Sequence, residues 1–244
     1  MNYFFAYVKK FNFRIIRKFL NILLLLTPDN LKINLYFLIY FFDENKENEL
    51  FNLKSLIFKK GIALDVGCNI GLYSYALSKQ KKILKVYSFE PNKNITKFLK
   101  KNDNNKIEII NIALSNKNKK NKLITPIFKN ILLDGWASVE NKIKLNKKFN
   151  SFTEVNVKCK RLDDFKLKNV TFIKIDVEGH ELKLLRGAVD FFKLNKPSCL
   201  IEIKKNNFLK VAKFFKLIDV NYKCIPKKNF SFNFAKENYF FSVK

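Results

Sequence analysis

Two short stretches of this 244-residue chain hold most of the side chains able to do chemistry. The first is Leu64-Asp65-Val66-Gly67-Cys68-Asn69-Ile70-Gly71, an apolar run that passes through glycines into a helical period. Glycine suits a backbone that must turn sharply or let a ligand come close, so this is a ligand-binding loop candidate. No Gly-Lys-Ser/Thr follows, which excludes a Walker loop, and Asn69 replaces the middle glycine of G-x-G-x-x-G. Asp65 separates the remaining ligands by charge. It would repel the pyrophosphate of a dinucleotide and attract the cationic amino-acid end and sulfonium of S-adenosylmethionine. Glu90 closes the next apolar run about 25 residues later, near where nucleotide-binding α/β folds place an acid on the ribose hydroxyls.

The second stretch is Phe172-Ile173-Lys174-Ile175-Asp176-Val177-Glu178-Gly179-His180-Glu181. It sets acids, Lys174 and the chain's single histidine at the carboxyl end of an apolar run. In open parallel sheets, ligands bind outside such strand ends. A charge beside Ile173, Ile175 and Val177 is costly to bury unless it is paired. One acid there could simply cap the next helix. Lys, Asp, Glu, His and Glu together point to a site.

The segments ALDVGCNIG, VYSFEP, NIALSN, KRLDDF, FIKIDVEGHELKLLRGA and CLIEI occur in the order seen in FkbM-type S-adenosylmethionine-dependent methyltransferases. The sequence resembles that family over about residues 61–203, and I-D-V-E-G-x-E followed by L-x-G-A is the most specific part. The resemblance implies a Rossmann-like fold and methyl transfer to hydroxyl groups, commonly on sugars of surface glycans or on natural products. It further implies that Asp65, Gly67, Asn69 and Gly71 line the methionine end of the cofactor. Glu90 would hold the ribose, and residues 111–115, beginning at Asn111, would lie near the adenine. Asp176, Glu178 and Glu181 match the family's acidic cluster, whereas the residue at His180 varies among relatives.

Methyl transfer from a sulfonium is an in-line displacement that needs alignment and a nucleophile relieved of its proton. A sugar hydroxyl is a poor nucleophile near neutral pH, so a general base should contribute about 10²–10⁴-fold. His180 is of a type whose ordinary pKa is about 6.5. Asp176 or Glu178 could orient it, act as the base, or bind a divalent ion that acidifies the hydroxyl. The sequence itself does not call for a metal. With one histidine and four widely separated cysteines, a structural zinc site is excluded.

These residues need elements to position them. Strands are predicted over 62–66, 85–89, 107–114, 155–159, 170–177 and 199–203, with helices over 72–79, 91–101, 181–192 and 208–217. Two aromatic strands, 222–225 and 239–243, close the chain. The alternation predicts an α/β fold: a mostly parallel sheet, helices on both faces, and an antiparallel hairpin at one edge. Residues 116–150, rich in Lys and Asn, read as irregular with strand-like pieces at 123–128 and 136–139. The methyltransferase domain is expected over 61–244, behind an N-terminal helical extension or cap over 1–60.

Apolar runs at 19–26 and 36–42 fall short of the ~20 residues needed to span a bilayer, and no small-residue cleavage site follows the first. Lys10, Arg14, Arg17 and Asn21 share one helical face, with Phe11, Ile15, Phe19 and Ile22 on another. Such a helix either caps the main domain, the reading favoured here, or rests on an anionic membrane, giving residues 1–42 a peripheral membrane contact.

Composition says least. Lys+Arg 48 against Asp+Glu 21 gives a net charge of +27, which suggests nucleic acid or an anionic membrane as a partner. Yet only Arg14, Arg17, Arg161 and Arg186 are arginines. A protein built to read phosphates and base edges would keep arginine's planar fork. The lysine excess, with abundant Asn, Ile and Phe, looks like drift in an AT-rich genome. A nucleic-acid methyltransferase or binder is therefore the alternative rather than the first reading, and no N-P-P-Y-type loop supports it. An inactive membrane-associated scaffold and a dinucleotide oxidoreductase rank lower. At 48% hydrophobic residues the chain is not disordered. Cys199 and Cys224 read as core thiols of a reducing compartment, and the expected location is the cytoplasm.

Overall fold

The computed structural model describes residues 23–243 except Leu25, Glu44, Asn45, Asn102, Asp103, Asn130 and Asn150. The expected amphipathic helix around Lys10 to Ile22 lies outside the described residues. Of the N-terminal part, α1 (Asp29–Phe41) and the short α2 (Asn48–Phe51) are described. Phe37 of α1 packs on Phe51 at 5.1 Å and on Tyr75 at 5.4 Å, and Asp29 pairs with Lys101.

The main sheet begins with β1 (Gly61–Val66), α3 (Leu72–Ser78), β2 (Ile83–Phe89), α4 (Lys97–Lys100) and β3 (Ile107–Ile110). An outer sheet follows, made of β4 (Ala113–Leu114), β5 (Lys119–Phe128), β6 (Ile131–Leu132) and β7 (Ser151–Lys160). The main sheet then resumes with β8 (Val170–Ile175), α5 (Glu181–Arg186), α6 (Val189–Asn195), β9 (Ser198–Glu202), α7 (Phe208–Ile218), β10 (Tyr222–Ile225) and β11 (Asn238–Val243). Its seven strands run in the order β10-β11-β9-β8-β1-β2-β3. All neighbours are parallel except β11, which is antiparallel to both β9 and β10. Strand order reverses at β1, which lies between β2 and β8, so a crevice opens beyond the carboxyl ends of those strands.

Period-two alternation sorts the strand residues between two apolar layers. Leu64, Val66, Ile173 and Ile175 join the layer under α5 to α7, while Ala63, Phe172, Leu200 and Phe240 join the layer under α3. Asp65 and Lys174 alternate onto the second face and are register partners across β1 and β8. Two opposite charges are thus placed side by side in the interior by the same rule that sorts the apolar residues.

The expected α/β architecture, mostly parallel sheet and edge hairpin are all present. Four local expectations fail. The helix expected over 91–101 shrinks to α4, because residues 91–96 form bends and turns in which Asn92 and Thr96 bond locally. The strand expected over 107–114 divides at Asn111, whose amide donates to the Glu90 carbonyl at 3.0 Å, and its second half joins the outer sheet as β4. The helix expected over 181–192 breaks at Gly187, where an added Cβ would come within 2.0 Å of the Ser115 carbonyl oxygen. Residues 116–150 are also more regular than their composition suggests. β5 and β7 pair antiparallel along nine register positions, with Leu123, Val157 and Cys159 buried and Lys120, Lys122, Lys158 and Lys160 exposed. Lysine on the solvent face of a sheet masks the alternation and also discourages edge pairing. All four cysteines are free. No helix of the described residues is long and apolar enough to cross a membrane.

Candidate active site

At the end of β1 the chain turns through Gly67 (φ 80°) and Asn69 (φ 51°). A Cβ on Gly67 would sit 1.7 Å from the Asp176 carbonyl oxygen, so only glycine lets the β1 and β8 loops come this close. Glu90 stands beside this turn. Its Oε2 accepts the Asn69 N–H at 3.0 Å and its Oε1 accepts the Asn92 N–H at 2.9 Å. Each oxygen keeps a lone pair free for a further donor. Burial pushes the Glu90 carboxyl up to about 7 despite those two bonds.

Two hollows flank the Gly67 turn and share Gly67, Asn69 and Asp176 in their walls. One is a cleft toward the outer sheet, bounded by Glu90, Ile112, Asp134, Ser138, Glu178 and His180 among others. The other is a cavity of about 350 Å³ toward α2, bounded by Tyr40, Glu47, Asp65, Tyr73, Lys174 and Asp176 among others.

The cavity holds a buried charge network. Asp65 accepts a 2.5 Å bond from the Ser74 hydroxyl, and burial raises its pKa to about 6. Lys174, 1% exposed, donates to Asn238 Oδ1 at 3.2 Å and lies over the Tyr73 ring. Its Nζ is 3.7 Å from Asp176 and 3.8 Å from Glu47. Burial opposes its charge, but Glu47, Asp176, Glu202 and Asp65 together raise its pKa above the ordinary lysine value. Glu47 in turn accepts from the Tyr73 hydroxyl and the Asn238 amide, both at 2.7 Å. The cavity therefore offers a fixed cation and fixed anions, the two signs that a zwitterionic amino-acid end requires.

In the cleft, Asp176 follows β8, anchored by its N–H to the Val66 carbonyl at 2.9 Å. Glu178 adopts a left-handed backbone (φ 47°), uncommon for a side chain that is not glycine, and Ser138 Oγ donates to its carbonyl at 2.9 Å. Burial first, and then Asp176 beside it, raise the Glu178 carboxyl to about 7. His180 is buried, with both ring nitrogens engaged: Nδ1 with Glu140 at 2.5 Å and Nε2 with the Ser115 hydroxyl at 3.0 Å. Burial lowers its pKa. The acid that orients His180 is thus Glu140 from the outer segment, where the sequence suggested Asp176 or Glu178. Glu181 accepts the Gly179 N–H at 2.7 Å, and its second oxygen is buried without a partner.

Of the sequence-derived candidates, the structure gathers Gly67, Asn69, Glu90, Asp176, Glu178 and His180 on the cleft walls, and Asp65 on the cavity wall. Gly71 caps α3 and lines neither hollow; Asn111 turns back to Glu90 and Thr96, while its neighbours Ile112 to Leu114 face the cleft. Sequence reasoning did not single out Glu47, Glu140, Ser138, Glu202 or Asn238. Among them only Glu202, closing the CLIEI strand at the same sheet edge, had a signal: an acid at a strand's carboxyl end. Carboxylate oxygens of Asp176, Glu178 and Glu202 lie within 4.8 Å of one another, close enough to share a divalent cation. Lys204 also stands 3.9 Å from Glu178, so positive charge already adjoins this group.

The family model described as Methyltransferase FkbM domain matches residues 65–224. A search of curated proteins returns no significant match. Among solved structures, a methyltransferase FkbM from Methylobacillus flagellatus KT superposes with TM-score 0.53 at 16% identity, covering 75% of this chain and 43% of that one. Precorrin-6y C5,15-methyltransferase from Geobacter metallireducens GS-15 gives TM-score 0.44 at 11% identity, over 80% of this chain and 86% of that one. The chain thus spans under half the length of the FkbM structure, and at this identity the likeness is one of fold, a Rossmann-like methyltransferase fold. With the motif segments and the matched residues in agreement, the chain belongs to the FkbM methyltransferase family.

Proposed function

We propose that this chain transfers a methyl group from S-adenosylmethionine to a hydroxyl oxygen of a sugar in a surface glycan or glycolipid, acting in the cytoplasm. The observation that carries the reading is the pair of hollows meeting at Gly67. One side has an acid with two lone pairs left for ribose, and the other has paired charges for an amino-acid end. Bound there, the cofactor would supply an electrophilic methyl on a sulfonium. The described residues of the N-terminal region serve as a cap that walls one side of the cavity through Tyr40 and Glu47.

The chain's own part is alignment and proton removal. Asp65 and Glu47 would hold the ammonium end, Lys174 the carboxylate end, and Glu90 the ribose. Glu178 is the best-placed general base: it lines the cleft, and with a pKa of about 7 it is partly deprotonated at neutral pH yet basic enough to accept a hydroxyl proton. His180 serves this site by bracing, since neither ring nitrogen is left to face an acceptor. The free cysteines suit a reducing compartment.

The test follows labelled methyl groups from S-adenosylmethionine into cell-envelope glycan, lipid, protein and RNA fractions. Label in the glycan or glycolipid fraction supports the reading; label confined to RNA overturns the acceptor class. Asp65→Ala should abolish cofactor binding by calorimetry, and normal binding in that variant would remove Asp65 from the site.

A further inference from the structure

We infer that the β5–β6 hairpin is a docking surface that seats the protein on an anionic lipid layer. At this end of the outer sheet Phe128, Ile131, Leu132 and Trp136 are all exposed, Ile131 by 64%. Soluble proteins seldom gather several large apolar side chains at one exposed turn unless something covers it. Trp136 packs edge-on against Phe149 at 5.5 Å on its inner side and leaves nearly half its surface to solvent.

Charge identifies the cover. Lys129 follows Phe128 directly, and the Trp136–Phe149 contact brings Lys147 and Lys148 alongside. All three are exposed and have no carboxylate partner among the described residues. The acids of this region are taken: Glu154 by Lys122 and Lys144, Glu140 by His180 and Lys183, and Asp134 by the Asn92 amide. An apolar tip flanked by ammonium groups that no carboxylate neutralises matches an anionic headgroup layer over hydrocarbon. Tryptophan favours that depth, and lysine stems reach back to the phosphates. A second copy of the chain would cover the apolar residues but bring lysine against lysine. RNA would use the lysines and leave the aliphatic tip uncovered. The same loop runs on into Asp134, Gly135 and Ser138 on the cleft wall, so docking places the cleft mouth at the lipid surface. The inference concerns where the protein sits and stands apart from the chemistry of the cleft.

Trp136 is the chain's only tryptophan, so the native full-length protein reports on its own docking. The protein is mixed with vesicles of phosphatidylcholine alone or with phosphatidylglycerol added. With the anionic vesicles, Trp136 emission should move to shorter wavelength and be quenched by lipids brominated on the acyl chains. The bound fraction should fall on the order of tenfold between low and high salt, and by a similar factor in the Ile131→Glu, Leu132→Glu double variant. Binding without the tryptophan response would place the contact elsewhere in the chain and overturn the proposal. A concentration-dependent shift without vesicles would assign the patch to a second copy. Absence of binding would overturn it outright, and the wild-type spectrum decides this even if the double variant fails to fold.

Discussion

The carboxylates at the carboxyl ends of the central strands and those of the outer sheet are the same chemical groups in opposite situations. Asp65, Glu90 and Glu178 are pushed up, to about 6, 7 and 7, Glu202 is raised beside them, and burial is the largest cause in each. Glu154, on the solvent face of β7, is pulled down to about 2 by hydrogen bonds from Lys122 and Lys144. On the surface, then, lysine outweighs burial for Glu154, whereas Lys174 and Lys204 offset only part of the burial cost at Asp65 and Glu178. Inside, the one lysine placed by strand register helps hold Glu47 low, while Asp65, Glu90, Glu178 and Glu202 stay under-compensated. Under-compensation is what makes an acid basic enough to take a proton at neutral pH.

The comparison can be broken at its strongest point first. Lys174→Met removes the interior cation and leaves Glu47, Asp65 and Asp176 facing one another. Loss of one partner from a buried ion network costs about 3–5 kcal/mol, so chemical denaturation should show a large drop in midpoint at neutral pH. An unchanged midpoint would mean that the acids around it are already protonated.

Glu178→Gln separates function from stability. Turnover should fall about 10²–10³-fold, and the rise of kcat/KM with pH through about 7 should disappear, because only the deprotonated carboxylate can act as base. Stability should move the other way. The folded pKa lies above the ordinary 4.5, so ionisation is disfavoured in the folded state; its cost is absent below about pH 4.5 and grows as pH rises to 7. The Gln variant should therefore gain about 1–3 kcal/mol at pH 8, a rise of several degrees in Tm, and nothing at pH 4.

His180→Ala is expected to act through structure. It leaves the Ser115 hydroxyl and the Glu140 carboxylate without their shared partner, costing about 1–3 kcal/mol. Turnover in the folded variant should change by less than about tenfold, below the ~10²-fold at which general-base effects begin. A loss of several hundredfold with stability intact would restore His180 as the base. Smallest of all, Glu154→Gln should leave Tm at pH 7 unchanged within error, because exposed ion pairs contribute little. Its lowered pKa makes any contribution present above about 4.5 and lost as pH falls toward 2, so whatever small difference from wild type exists at pH 7 should vanish in acid titrations.

The sequence by itself determined the strand-loop-helix units, the order in which their ends carry chemistry, and the family. These are local properties: the period-two runs, the glycines at turns, and acids next to apolar strands. Its local pattern placed Asp65, Glu90, Asp176 and Glu178 at the carboxyl ends of neighbouring strands. Tertiary structure alone decided which partners reach them. Glu47 arrives from ahead of β1, Asn238 from the last strand, and Glu140 and Ser138 from a segment whose lysines hide its alternation. It also turned Asn111 away from the cleft and committed both nitrogens of His180. The physical reason is distance along the chain. Spacing fixes what one element presents, whereas the partner of a buried charge is chosen by strand order and by which loops close over the sheet edge, and neither is written in the residues next to it.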